Sequence, residues 1–93
     1  MSRALGEEVT WDHEKVTSFD WRTYHSLPLG FEIPSIECVL INQPDEEATG
    51  AGETSITVIG AAIGNAIFDA TGVRMRQTPF SPEWVKEALK ARA

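Results

Sequence analysis

The spacing of apolar and polar side chains changes repeatedly along the chain, and the changes mark out the predicted elements. Val9 and Trp11 alternate with polar neighbours, Asp12–His13–Glu14 supplies a polar turn and Val16 begins a return, so residues 8–18 predict a β-hairpin. Trp21, Tyr24 and Phe31 follow no steady period. Pro28, Gly30 and Pro34 interrupt them, which predicts an extended loop packed on a surface. Residues 36–41 predict a strand with Ile36, Cys38 and Leu40 on one side and Glu37, Val39 and Ile41 on the other. Only Glu37 is charged, so both faces are expected to be covered, with Cys38 a small buried apolar residue. Residues 43–52 form an acidic, glycine-containing loop.

The period then becomes helical. Ile56, Ile59, Ile63, Ile67 and Ala70 recur at three and four, predicting a helix over 54–71. Thr54 or Ser55 can cap its start, and Gly72 suits the left-handed position after its end. Gly60, Ala61, Gly64 and Ala66 make this helix thin, so another part of the structure can approach it closely. Val73–Met75 with Arg74 and Arg76 predicts a short edge strand. Ser81–Pro82–Glu83 is a helix start, and Trp84, Val85, Ala88 and Leu89 give the stripe of a helix over 82–91. The expected class is α+β: a small β-hairpin plus a strand in a strand-rich part over 8–42, packed with two helices.

Composition narrows the functions open to such a chain. Its 93 residues allow one small domain. Fourteen acidic residues against eight basic, net −6, argue against nucleic acid, which needs clustered Lys and Arg. The longest apolar-rich stretch, Ile56 to Ala70, is broken by Gly60, Gly64, Asn65 and Asp69 and falls short of the ~20 residues of a membrane span. The N-terminal residues carry neither a secretory nor a twin-arginine pattern. The chain reads as soluble, with cytoplasm and periplasm both open. A single cysteine, Cys38, excludes an intrachain disulfide and a four-cysteine cluster site. His13 and His25 lack a second ligand at metal spacing, and Asp45–Glu46–Glu47 lacks the spacing of a calcium loop. No metal ligands are predicted.

The stretch from Thr49 to Ser55 offers the most chemistry. Two glycines, Gly50 and Gly52, run directly into the predicted helix. This places backbone N–H groups at the positive end of a helix dipole, a setting that binds anions or a carbonyl-rich ligand edge. Glu53 stands at the same mouth. The alternative is an ordinary loop in which Glu53 only decorates the helix start.

The run Gly50–Ala51–Gly52–Glu53, the helix from Gly60 to Gly72 and the stretch Arg74–Phe80 together resemble the C-terminal end of the molybdopterin-binding large subunit of the xanthine oxidase and aldehyde oxidase family. They are nearest to the bacterial isoquinoline oxidoreductase and aldehyde oxidoreductase branch. Glu7–Asp12, Ser18–Tyr24 and Pro34–Cys38 resemble the hairpin, loop and strand that precede them in that branch. The resemblance runs over residues 3–86.

The resemblance implies a C-terminal part of a larger molybdopterin-binding domain, with residues 1–93 as one such fragment or a split subunit. It implies molybdopterin, in its cytosine dinucleotide form, in the complete enzyme. Glu53 matches the catalytic general base, which takes a proton from a water-derived hydroxyl that attacks an aldehyde or N-heterocycle. Ala51 and Gly52 match positions where the backbone lies along the cofactor. The implied partners are the remainder of the large subunit and an iron–sulfur small subunit. No cofactor is expected on this chain alone, because one loop cannot enclose it. The alternative is a non-catalytic, small acidic interaction or scaffold module, or a remnant of that domain. Thr54 stands where the branch often has proline or a small residue, and the turn at Asp12–Glu14 lacks a common glycine.

Overall fold

The computed structural model describes residues 1–92 and contains three helices: α1 (Ser2–Leu5), α2 (Thr54–Thr71) and α3 (Pro82–Lys90). No strand occurs among the described residues, so the expected α+β class with its hairpin, strand and edge segment is corrected to an all-helical frame carrying long irregular segments. The hairpin contracts to one isolated antiparallel bridge between Trp11 and Val16. Its turn is well made: Asp12 Oδ1 accepts the N–H groups of Glu14 and Lys15 at 2.8 and 2.9 Å. Side chains then take over from the ladder. Thr10 N–H donates to Ser18 Oγ at 2.9 Å, and Phe19 and Asp20 N–H both donate to Thr23 Oγ1 at 3.1 Å. These local bonds compete with strand pairing, and a lone two-stranded hairpin is marginal in water.

Residues 36–41 carry the pattern of a covered strand and are open on both faces. Leu40 is 91% exposed, Ile41 83%, and Cys38 is exposed rather than buried. Extended backbone cannot satisfy its own hydrogen bonds, and the described residues offer this segment no neighbouring strand. Residues 28–58 are exposed throughout.

The core is correspondingly small. Ala4 and Phe80 are its buried apolar residues, joined where Phe80 N–H donates to Ala4 O at 2.7 Å. The Phe80 ring lies over Gly64, where an added Cβ would come within 3.2 Å of ring Cζ. That contact explains glycine at position 64. Gly60 meets nothing within 4 Å of where its Cβ would stand, so nothing among the described residues requires glycine there.

α2 forms because its apolar stripe and its chain reversal are both local. Gly72 ends it in the left-handed region at φ 69°, a conformation costly for other residues, and donates its N–H to Phe68 O. The Arg92 guanidinium donates to Thr71 O and ties the end of α3 to the end of α2. α3 begins as its sequence dictates, with Pro82 in the first turn and Ser81 Oγ accepting from Trp84 N–H at 3.3 Å. Residues 73–76 are irregular rather than a strand. Arg74 stacks over the Phe68 ring at 3.9 Å and donates to Asn65 Oδ1 at 2.7 Å, so its side chain belongs to the surface of α2.

The chain is extended for its size. Its radius of gyration is 17.1 Å, against about 12 Å for a compact domain of this length. It exposes 8365 Å², against about 5,300 Å² for a folded monomer of 10.2 kDa.

Candidate functional site

Gly50, Ala51, Gly52 and Glu53 lead directly into α2, and all four are exposed. Glu53 is the residue at the helix start, in α-type geometry at φ −86° and ψ −25°, and its side chain makes no capping hydrogen bond. Thr54 and Ser55 do not cap the helix either. Their hydroxyls turn backwards, Thr54 Oγ1 donating to Ala51 O at 3.3 Å and Ser55 Oγ to Gly52 O at 3.4 Å. The loop carbonyls are thereby occupied by the helix itself. The first closing bond at the mouth runs from Ile56 N–H to Glu53 O at 3.0 Å. The N–H groups of residues 51–55 find no acceptor among the described residues.

Neither glycine of the loop has an internal reason to be glycine. Neither Gly50 nor Gly52 has a positive φ, and no atom of the described residues lies within 4 Å of the place a Cβ would take. The features that remain are an uncapped positive helix end, a row of free donors, bare backbone and a free carboxylate. Donors of this kind suit the phosphate and carbonyl edges of an organic cofactor. They do not suit a bare metal ion, and no group of three or more potential metal ligands occurs among the described residues. The loop is open to solvent along all four residues. Two hollows on the surface are lined by other residues: about 440 Å³ between Arg74 and Ala91, and about 350 Å³ beside Ser18–Tyr24.

Sequence reasoning expects caps from Thr54 and Ser55 and misses their backward-turned hydroxyls. A hydroxyl three residues after a glycine-flanked carbonyl is the available signal. His13 lies in the turn beside Glu14, its Nε2 3.5 Å from Glu14 Oε1 at the open surface. Neither His13 nor His25 is brought to the loop.

Comparison with known proteins places the chain beside much longer relatives. The chain is 40% identical over 88 residues to one subunit of the nicotinate dehydrogenase of Pseudomonas putida, covering 95% of this chain and 7% of that protein. It is 35% identical over 96 aligned positions to the aldehyde oxidoreductase of Megalodesulfovibrio gigas, covering 98% and 11%. It is 32% identical over 96 positions to the aldehyde oxidoreductase molybdenum-binding subunit PaoC of Escherichia coli, covering 96% and 13%. No family model matches the chain, and no solved structure does. With these relatives along nearly its whole length, the chain belongs to the xanthine oxidase and aldehyde oxidase family of molybdenum-dependent oxidoreductases. It spans about a tenth of the length of these relatives. No helix among the described residues is long and apolar enough to cross a membrane.

Proposed function

We propose that this chain supplies one wall of the molybdopterin site of a molybdenum hydroxylase, an enzyme that oxidises an aldehyde or N-heterocycle with oxygen drawn from water. The observation that carries this reading is the mouth of α2. Glu53 is exposed and free of any capping bond, beside N–H groups without acceptors and two glycines whose Cβ positions are empty.

When bound, the cofactor supplies the two-electron oxidation. In this reading the cofactor is the cytosine dinucleotide form of molybdopterin, and an iron–sulfur small subunit accepts the electrons. The backbone N–H groups of Ala51 and Gly52, which have no acceptor among the described residues, would hold the cofactor by donating to its polar edge. Bare glycine backbone permits that approach without a side chain in the way. Glu53 is the general base and takes a proton from the water-derived hydroxyl at its carboxylate. A carboxylate would suffice as the proton acceptor there, because the bound group would supply the Lewis acidity. The remaining walls come from the rest of a molybdenum-binding subunit.

The test is Glu53→Gln in the assembled enzyme, which keeps the size of the side chain and removes the proton acceptor. Turnover is expected to fall about a hundredfold to ten-thousandfold, the usual worth of general-base assistance. Molybdenum content is expected to stay unchanged. Glu46→Gln and Glu47→Gln, exposed in the same segment, should leave turnover within about twofold of wild type. Full activity in Glu53→Gln at full molybdenum content would instead support the non-catalytic interaction module.

A further inference from the structure

We infer that the hollow between residues 74–77 and α3 is a binding site for a small aromatic monocarboxylate. None of its lining residues belongs to the Gly50–Glu53 loop, and the inference does not rest on the function proposed for that loop.

The hollow measures about 440 Å³, within the range of small-molecule sites. Arg76, Gln77 and Trp84 line it, together with Glu87 and the apolar side chains of Met75 and Ala88. Its polar groups are left without partners. Arg76 and Glu87 form no ion pair with each other or with any described residue. The side chains of Arg76 and Gln77 and the indole N–H of Trp84 form no hydrogen bond with a described residue. Arg74 also lines the hollow, but it already lies over Phe68 and donates to Asn65. It adds positive charge and leaves direct binding to Arg76.

These groups define the ligand. Guanidinium, amide and indole supply N–H donors, and the planar guanidinium matches a carboxylate with two parallel bonds. Two arginines against Glu87 leave the hollow with a single net positive charge, which suits a monoanion. Trp84 is 41% exposed and offers its ring for stacking, and the Met75 thioether favours a ring beside it. A phosphate would find the charge and nothing to stack on, and its second negative charge would be repelled by Glu87.

The surroundings draw anions here and keep the hollow at water. Five of the chain's eight Lys and Arg lie in residues 74–92, against two Glu, in a chain of net charge −6. Lys86 and Lys90 are exposed on α3 and form no ion pair with a described residue. Burying such charges without partners is costly, so this side of α3 faces solvent in the assembled enzyme as well. The local positive field raises the concentration of anions near the hollow.

Titration calorimetry on the assembled enzyme tests the inference, with benzoate, benzamide and phosphate as probes. Benzoate should bind with a Kd of about 0.1–1 mM. Benzamide lacks the charge and phosphate lacks the ring, and each should bind at least about tenfold more weakly. Arg76→Gln should weaken benzoate at least about tenfold, and Arg76→Lys, which keeps the charge without the fork, should weaken it less. Lys86→Gln, outside the hollow, should leave it within about twofold. A benzoate-dependent change in tryptophan fluorescence should disappear in Trp84→Phe. Benzoate binding unaffected by Arg76→Gln, or phosphate bound as tightly as benzoate, would overturn the site. So would a peptide ending in a phenylalanine carboxylate that binds at least about tenfold more tightly than benzoate, since the hollow would then dock a protein terminus. Glu53→Gln separates this site from the mouth of α2. Benzoate binding that responds to Glu53→Gln and not to Arg76→Gln overturns the hollow and leaves the proposed function standing. Benzoate binding lost in Arg76→Gln, with full turnover in Glu53→Gln, supports the hollow while the catalytic assignment fails.

Discussion

Ile59, Ile63 and Ile67 on α2 are partly covered, whereas Ile36, Leu40 and Ile41 in the segment before the loop are open to solvent. Both sets are large aliphatic residues, and they differ in what their backbone needs. A helix closes its hydrogen bonds within itself, so α2 forms around a small contact with α1 and Phe80. A strand closes its bonds only with a neighbour, and none is present among the described residues. The apolar pattern of residues 36–41 is therefore left uncovered by the described residues. The pattern of α2 is information about α2.

The largest effect that would break this comparison is expected at Phe80. Phe80→Ala removes the ring from Gly64 and empties the main apolar contact of the frame, costing about 3–5 kcal/mol in a well-packed core. Leu40→Ser should shift the stability of the chain by no more than about 0.5 kcal/mol, because its side chain touches almost nothing here. Urea unfolding followed by helical circular dichroism reads both. A comparable loss in Leu40→Ser would mean that residues 36–41 already pack on the frame.

A smaller effect separates the two helix starts. Ser81→Ala removes a side-chain cap and should cost about 1 kcal/mol. Ser55→Ala removes only a hydroxyl turned back on Gly52 O and should cost less than about 0.5 kcal/mol. Thermal unfolding of the two variants gives the ratio. A reversed order would show that Ser55, not the bare loop, shapes the mouth of α2.

The smallest effect is a pH dependence confined to the frame. The Ser2 hydroxyl first, then the Tyr24 hydroxyl, donates to the Glu7 carboxylate and lowers its pKa. The Tyr24–Glu7 bond is 2.7 Å, and donating to that carboxylate raises the pKa of Tyr24. A lowered carboxylate contributes stability that is complete above its ordinary value near about pH 4 and is lost as pH falls through the lower folded value. Tyr24 has the opposite sign: its contribution is complete below about pH 10 and is lost as pH rises through the higher folded value. Tyr24→Phe should therefore be less stable than wild type at neutral pH, with the difference narrowing in acid. Parallel stability profiles from pH 2 to 7 would show that this bond is not formed in solution.

The start and stop signals of the helices are legible because they act over three or four residues. Ser81–Pro82 at the start of α3 and Gly72 at the end of α2 are such signals, and so is the three–four spacing of Ile59, Ile63 and Ile67. The loop of Gly50 to Glu53 is legible for the same reason, as glycines placed against a helix start. The hairpin pattern at residues 8–18 misleads beyond its turn. Asp12 helps make the reversal, and backbone pairing runs as far as Thr17 N–H on Thr10 O, beyond which the Ser18 hydroxyl takes the Thr10 N–H in place of a ladder bond. The pattern of residues 36–41 misleads about covering, because alternation reports that a strand is to be buried without saying which chain segment buries it.

What the sequence determined by itself is local: two helices with their ends, a tight turn, and bare backbone beside Glu53. The tertiary structure decided which apolar residues are covered, because burial depends on surfaces brought together from distant parts of a chain or from another body. It also decided that Gly64 answers to Phe80 while Gly50, Gly52 and Gly60 answer to nothing among the described residues. A glycine's spacing is written in the sequence, but the atom that requires it lies across space.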